Sequence, residues 1–491
     1  MDSIWEQETI LPPRKALPGD VTVQAAVIGA GMAGILTAWF LQQKGVEVIV
    51  LEGSRIASGQ TCKTTAKITS QHGVVLRDLV KRYGEEKAAL YAAANERAIA
   101  EYRRIITENH IACDFTECPS YLYSLEDEEM LREEAELAAK FHIKSEFTHK
   151  TSLPFSVKGA LRYEKQARFQ PLTFIRALSD SLTIYEHTRV MEVKKNEIYT
   201  DHGTVFADHI IFASHFPFMN TPGYYFMRMH QERSYVLALR SPSEDAAKQK
   251  NLDGIYYGID QNGLSLRPHE DYILLGGGNH RTGENSEGGK YDMLRKAAAE
   301  YFPGWEEETC WSAQDCMTAD GLPYIGPFSE SAPGWYVATG FGKWGMTSSM
   351  ISAMILSDLI TGKDNKYAPV FSVSRHTFSA SAKTLMEEGL QAAKGLTREF
   401  LKPPESSFVE LENGEGKIVD YKGLKVGAYR DKDGTLFLVS TRCPHLGCQL
   451  EWNPDELSWD CPCHGSRFNY KGQLLDNPAQ EDITDEILSG K

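Results

Sequence analysis

Four side chains near the end of the chain have the types and spacing of a metal centre. Cys443 and His445 lie in CPHLGC, and Cys461 and His464 in CPCHGS, so each of two short loops carries one thiolate–imidazole pair. Brought together, they suit either one tetrahedral zinc ion or a [2Fe–2S] cluster with sulfur ligands on one iron and nitrogen ligands on the other. Cys448 and Cys463 are left over, one per loop; a disulfide between them would tie the loops together.

The pair of loops resembles the Rieske signature of cytochrome bc-type complexes. That resemblance implies a [2Fe–2S] cluster held by Cys443, His445, Cys461 and His464, a bridge between Cys448 and Cys463, and a hydrogen bond from Ser466 to the cluster. Asn477, Pro478 and Ala479 resemble the proline segment that covers such clusters. High-potential Rieske proteins carry a tyrosine two residues beyond the serine, where this chain has Phe468. Losing a hydrogen bond to a ligand sulfur lowers the potential, so a midpoint below the respiratory centres is expected.

A second chemistry-bearing stretch opens the chain. Val21 to Ile28 read as a buried strand, and Gly29, Gly31 and Gly34 form GxGxxG at the start of a helix. Val46 to Leu51 read as a second strand ending at Glu52. The glycines allow a tight turn and close approach of a pyrophosphate to the helix N-terminus, while Glu52 is placed to accept ribose hydroxyls. Thr64 and Thr65, in a loop rich in small and hydroxyl side chains, are candidates for contacting a phosphate or ribityl chain. Val190, on a later strand, is a candidate neighbour of an adenine.

A second GxGxxG, at Gly340, Gly342 and Gly345, precedes a helix, but no strand ending in an acidic residue follows. It reads as a helix N-terminus, with Gly345 and Met346 in its first turn, aimed at the pyrimidine edge of a flavin. With GAGMAG, Glu52, TADGLPYIG and GFGKWG in order, residues 21–370 resemble the FAD-dependent D-amino acid oxidase superfamily, particularly its glycine and sarcosine oxidase branch. The resemblance implies FAD and hydride removal from a C–N bond or related α-carbon, with Lys343 flanking the isoalloxazine. Amino acid oxidases of this branch clasp the substrate carboxylate with a basic residue where this chain has Asp315. An aspartate there would repel a carboxylate and attract a cation, so an amine or a different compound gains weight over a simple amino acid. Arg233, His280 and Arg281 could reach the same pocket or be ion-paired elsewhere, and Cys316 is a candidate for a covalent flavin link.

The elements that must position these groups follow from the pattern. Apolar residues recur at helical spacing from Gly84 to His110 and from Glu126 to Phe141, and the runs between Tyr185 and Ser214 read as a β-meander. The fold class expected is α/β: a Rossmann-like FAD-binding domain with an inserted antiparallel-sheet substrate domain, followed by a small all-β Rieske domain. The divisions are an extension at 1–20, the oxidoreductase at 21–370 with its substrate part mainly at 150–320, a helical linker at 371–404, including a helix from Ser379 to Lys402, and the Rieske domain at 405–491. A net charge of −15 argues against nucleic acid and anionic membrane as partners. The N-terminus has no secretion signal, and the apolar run Ala25 to Leu41 is broken by glycines, so a cytoplasmic protein with no membrane span is expected. Cys62, Cys113, Cys118, Cys310 and Cys316 are too scattered for another metal site.

Joining a two-electron flavin to a one-electron cluster points to a dehydrogenase that passes electrons to an external carrier. The alternative is a redox sensor or electron-transfer flavoprotein without an organic substrate, which a closed flavin face would favour. An oxygenase is disfavoured because no histidine follows Phe468, and an NAD(P)H-dependent reductase because the nicotinamide unit is missing.

Overall fold

The computed structural model describes residues 2–243, 252–375, 406–407, 411–421 and 423–484. The expected helix from Ser379 to Lys402 lies outside the described residues. Among the described residues, the strands form two large sheets and two small ones. In the first, the strands Gly203–Phe212, Val21–Ile28, Val48–Leu51 and Thr183–Tyr185 run parallel, as continuous apolar runs covered on both faces should. The helices Met32–Gln43 and Gly345–Ile360 pack together against it and are buried around most of their circumference. The meander appears as Val190–Lys194 and Glu197–Thr200 turning back into Gly203–Phe212. The two amphipathic helices span Glu85–Glu108 and Glu129–Lys140.

The second sheet has nine strands and is antiparallel except where Ile255–Gly258 runs beside Thr116–Ser124. It reaches beyond the 150–320 segment, recruiting Lys67–Ile68, Thr116–Ser124 and Ser145–Thr148. Its neighbouring strands Met229–Arg240 and Glu306–Thr318 separate two environments. Because side chains alternate across a strand, Gln231 and Arg233 face one way while Glu232 and Ser234 face the other. On the paired strand, Ser312 and Gln314 are opposed to Ala313 and Asp315 in the same manner. The C-terminal region consists of two four-stranded sheets, 406–440 and 451–476, packed around Trp452, Trp459 and Phe468. Among the described residues no helix is long and apolar enough to cross a membrane.

Candidate functional site

The two cysteine–histidine loops have the same backbone design. Cys443 donates its N–H to Cys448 O and Cys461 to Ser466 O, while Gly447 and Gly465 donate back to Cys443 and Cys461. Both glycines sit at φ near +80°, the left-handed region that closes each turn at least cost. Cys448 and Cys463 form a disulfide between the loops. The imidazoles of His445 and His464 lie 4.8 Å apart, centroid to centroid, at right angles.

The donor set fits a [2Fe–2S] cluster. Cys443 and Cys461 are buried, and a hydrogen bond from Cys443 pulls the Cys461 thiol below its ordinary range. His445 Nε2 lies 2.6 Å from Asn220 Oδ1, and its Nδ1 is buried without a hydrogen-bond partner. A neutral imidazole donating through Nε2 leaves its Nδ1 lone pair for a metal. The Ser466 hydroxyl hydrogen-bonds the Cys443 thiol and accepts the Ala479 N–H at 2.9 Å.

A cavity of about 480 Å³ lies at the C-terminal ends of the first sheet's parallel strands. Gly29, at φ +107°, lines it and Gly34 lets the helix pack against the turn: a Cβ on Gly29 would lie 2.6 Å from Ala213 O, and one on Gly34 1.9 Å from Gly29 O. The helix that follows has Gly31 as its N-cap, which brings no side chain of its own, so its positive end is open to an anion. Gly29, Gly31, Glu52, Thr64, Val190, Gly342, Gly345 and Met346 line this cavity. Gly34 and Gly340 do not; Gly340 instead lets the chain pass Thr318 Cγ2, 2.3 Å from where its Cβ would be. Glu52 already accepts the Ala30 and Ser54 N–H groups at 2.8 Å each, so it also holds the turn. The residues and volume fit a dinucleotide.

A smaller cavity of about 90 Å³ opens from the first and shares Thr64, Asp315, Lys343, Gly345 and Met346 with it. Thr65, Lys67, Tyr257 and Ser265 are among the residues that line its remainder. Lys343 Nζ lies 3.2 Å from Glu232 Oε2 and 3.4 Å from Asp315 Oδ2. Burial alone would lower this ammonium, but the two carboxylates outweigh it and hold Lys343 above its usual range. Burial raises Asp315. The cation beside Asp315 is thus one of the chain's own, Lys343, which opposes its charge. Lys67 contrasts with both. It donates to the Ser265 hydroxyl, and among the described residues no carboxylate pairs with it. Burial and the neighbouring Arg267 guanidinium push it down to about 7.

Arg233 and Arg281 face the cluster domain rather than this cavity. Arg233, 1% exposed, pairs with Glu456, which also accepts from Arg467 at 2.8 Å. Arg281 donates to the carbonyl of Pro462 at 3.2 Å, and His280 stacks on Tyr235. Cys316 lines neither cavity, because alternation along its strand turns it to Met229 and Thr339.

Residues missed from the sequence complete the site. Thr61 accepts the Met32 N–H at 2.9 Å within the glycine turn, and its place in the hydroxyl-rich loop was a usable signal. His215, Gln231 and Lys67 had none, and Asn477, Pro478 and Ala479 were marked as cover of the cluster but not as wall of this cavity. His215 lines the larger cavity, and its Nε2 lies 3.0 Å from Gln231 Oε1. Gln231 Nε2 donates to His464 O at 2.7 Å and to Asn477 O at 3.0 Å. A Cβ on Gly465 would come within 2.6 Å of Gln231 Cβ, so a glycine is required for this approach.

Comparison with known proteins agrees with this geometry. Residues 24–359 match the model of the FAD dependent oxidoreductase family, and residues 405–485 that of the Rieske [2Fe-2S] domain. The protein YhfW of Bacillus subtilis (strain 168), named as a Rieske 2Fe-2S iron–sulfur protein, is 36% identical over 97% of this chain and 96% of its own. Glycine oxidase from Geobacillus kaustophilus superposes with a TM-score of 0.61 at 18% identity, over 72% of this chain and 99% of its own. L-proline dehydrogenase from P. horikoshii gives 0.60 at 16%, over 73% and 98%. These two likenesses concern the fold. The chain belongs to the FAD-dependent oxidoreductases, and it joins that FAD-binding fold to a C-terminal Rieske [2Fe-2S] domain.

Proposed function

We propose that the protein dehydrogenates a small amine or amino-acid-like substrate in the smaller cavity and passes the electrons singly through the cluster to an external acceptor. FAD supplies the hydride acceptor and the [2Fe–2S] cluster the one-electron step. In this reading Cys443 and Cys461 hold one iron, and His445 and His464 the other. Lys343, flanked by Asp315 and Glu232, keeps a fixed charge and a proton at the junction of the two cavities. Lys67 and Ser265 seat an anionic group of the substrate at the far wall, where no carboxylate among the described residues pairs with the ammonium. The carboxylates around Lys343 favour an amine nitrogen nearer the junction.

One observation carries the proposal: Gln231 touches both His215, in the wall of the larger cavity, and the backbone of His464 in the cluster loop. A single side chain thus spans from one cofactor site to the other. The smaller cavity weighs against the sensor reading, which needs a closed flavin face. Anaerobic mixing with a panel of amines and amino acids is expected to bleach the flavin. The His464→Ala variant is expected to keep that bleaching and to lose reduction of one-electron acceptors. Undiminished acceptor turnover in the variant would overturn the proposal.

A further inference from the structure

The segment from Leu474 to Gln480 belongs to the cluster domain, yet Leu474, Leu475, Asp476, Asn477, Ala479 and Gln480 all line the dinucleotide cavity. They lie on the wall shared with Glu52, Gly53, Ser54, Thr188, Arg189 and Val190, at the end where the first glycine turn would place the adenosine half. We propose that this segment is part of the FAD site and also the cover of the cluster, so that each cofactor strengthens the binding of the other.

The tethers run in both directions. Towards the cluster, Ala479 donates its N–H to Ser466 Oγ at 2.9 Å, and that hydroxyl hydrogen-bonds the Cys443 thiol. Towards the flavin fold, Asn477 Nδ2 donates to Ser214 O at 2.9 Å and to Phe216 O at 2.7 Å, directly after the strand Gly203–Phe212. Asp476 accepts from Gln60 at 2.9 Å, and Gln480 O accepts from Arg189 at 3.1 Å. Gln60 and Arg189 themselves line the cavity. The segment has few apolar anchors of its own, and Leu475 is 50% exposed. Its position is therefore set by the strand Leu474–Asp476 at one end and by these polar tethers beyond it, of which the one from Ala479 depends on the order of the ligand loops. When the loops are loaded the segment is fixed before FAD arrives, and FAD binding does not bear the cost of ordering it. Linkage makes the effect reciprocal.

The experiment measures the dissociation constant of FAD by flavin fluorescence on FAD-stripped full-length protein. The cluster-loaded wild type is compared with the cluster-free Cys443→Ser/Cys461→Ser variant and with Asn477→Ala. The expected result is FAD binding weaker by about tenfold without the cluster, and a similar loss in Asn477→Ala although its cluster electron paramagnetic resonance signal is retained. Equal affinities in all three proteins would overturn the proposal. So would weakening confined to the cysteine variant, which would assign the effect to collapse of the cluster domain. A second measurement needs no substitution: the decay of the cluster signal in wild type under a chelator, with and without FAD. Slower decay with FAD is expected, and identical decay would refute the linkage.

Discussion

Two clusters of buried charge lie back to back across the strands Met229–Arg240 and Glu306–Thr318, and they are built on opposite rules. On the cluster-domain side, Arg233 and Arg467 meet Glu456, Asp460 and Asp476, each guanidinium held by carboxylates or side-chain oxygens. On the cavity side, Lys343 is satisfied by Asp315 and Glu232, but among the described residues Lys67 faces only a hydroxyl and another cation. A fully paired network fixes one domain against another, while an unpaired buried charge is stable only if something else supplies its partner. The first cluster is architecture and the second is the binding site we propose, although Arg233 of the one and Glu232 of the other are neighbours on one strand.

The contrast is broken most severely at Glu456. Replacing it by Ala leaves two buried guanidinium groups short of a carboxylate, a change expected to cost about 3–5 kcal/mol. Thermal unfolding should fall accordingly, with early loss of FAD as the domains separate. The same residue sets an acid limit. Burial alone would raise the Glu456 carboxyl, but Arg233 and Arg467 outweigh it and draw it down to about 2. Its folded pKa is depressed, so its contribution is complete above the unfolded carboxylate value near 4.3 and is lost as pH falls from there through about 2. Denaturation curves between roughly pH 5 and 2 should show this slope in wild type and less of it in Glu456→Gln.

Lys67→Met tests the other side and should move the opposite way in stability. Removing an unpaired charge should leave the fold as stable or more so, while binding of an anionic substrate weakens by about 2 kcal/mol, on the order of thirtyfold in KM. In wild type, the ammonium is depressed to about 7 in the folded state. The folded state therefore releases its proton before the unfolded chain does, so stability should rise as pH goes from about 7 towards 10. Substrate affinity should fall over the lower part of that range as the ammonium discharges. A flat KM profile that matches Lys67→Met would contradict the role assigned to it.

The smallest effect is expected at Phe468, which is fully buried beside the loops. Phe468→Tyr should raise the cluster midpoint by tens of millivolts if the new hydroxyl reaches a ligand sulfur. A wild-type midpoint at the top of the Rieske range, about +300 mV, would refute the argument.

Much of the fold and part of the site were legible in advance, and the division has a pattern. The glycine turn at Gly29, the cluster loops and the Cys448–Cys463 pair are written in short contiguous stretches, because a tight turn or a chelating loop constrains neighbours in the chain. The open points fall where one charge needed a distant partner. Asp315 reads as attracting a cation, and only the structure puts Lys343, on the loop after the last strand of the first sheet, beside it. Arg233 and Arg281 could be read as cavity residues or as paired elsewhere, and the cluster domain on the other face of their sheet decides for the second.

The chain's own letters determined which cofactors it is built for, since cysteine–histidine loops and glycine turns each admit few chemistries. Only the tertiary structure decided how the two sites meet. Gln231 and His464 are 233 residues apart, and Gln60 and Asp476 are 416 apart. Each is an ordinary residue whose meaning comes from the surface folded against it, and no local spacing records that encounter.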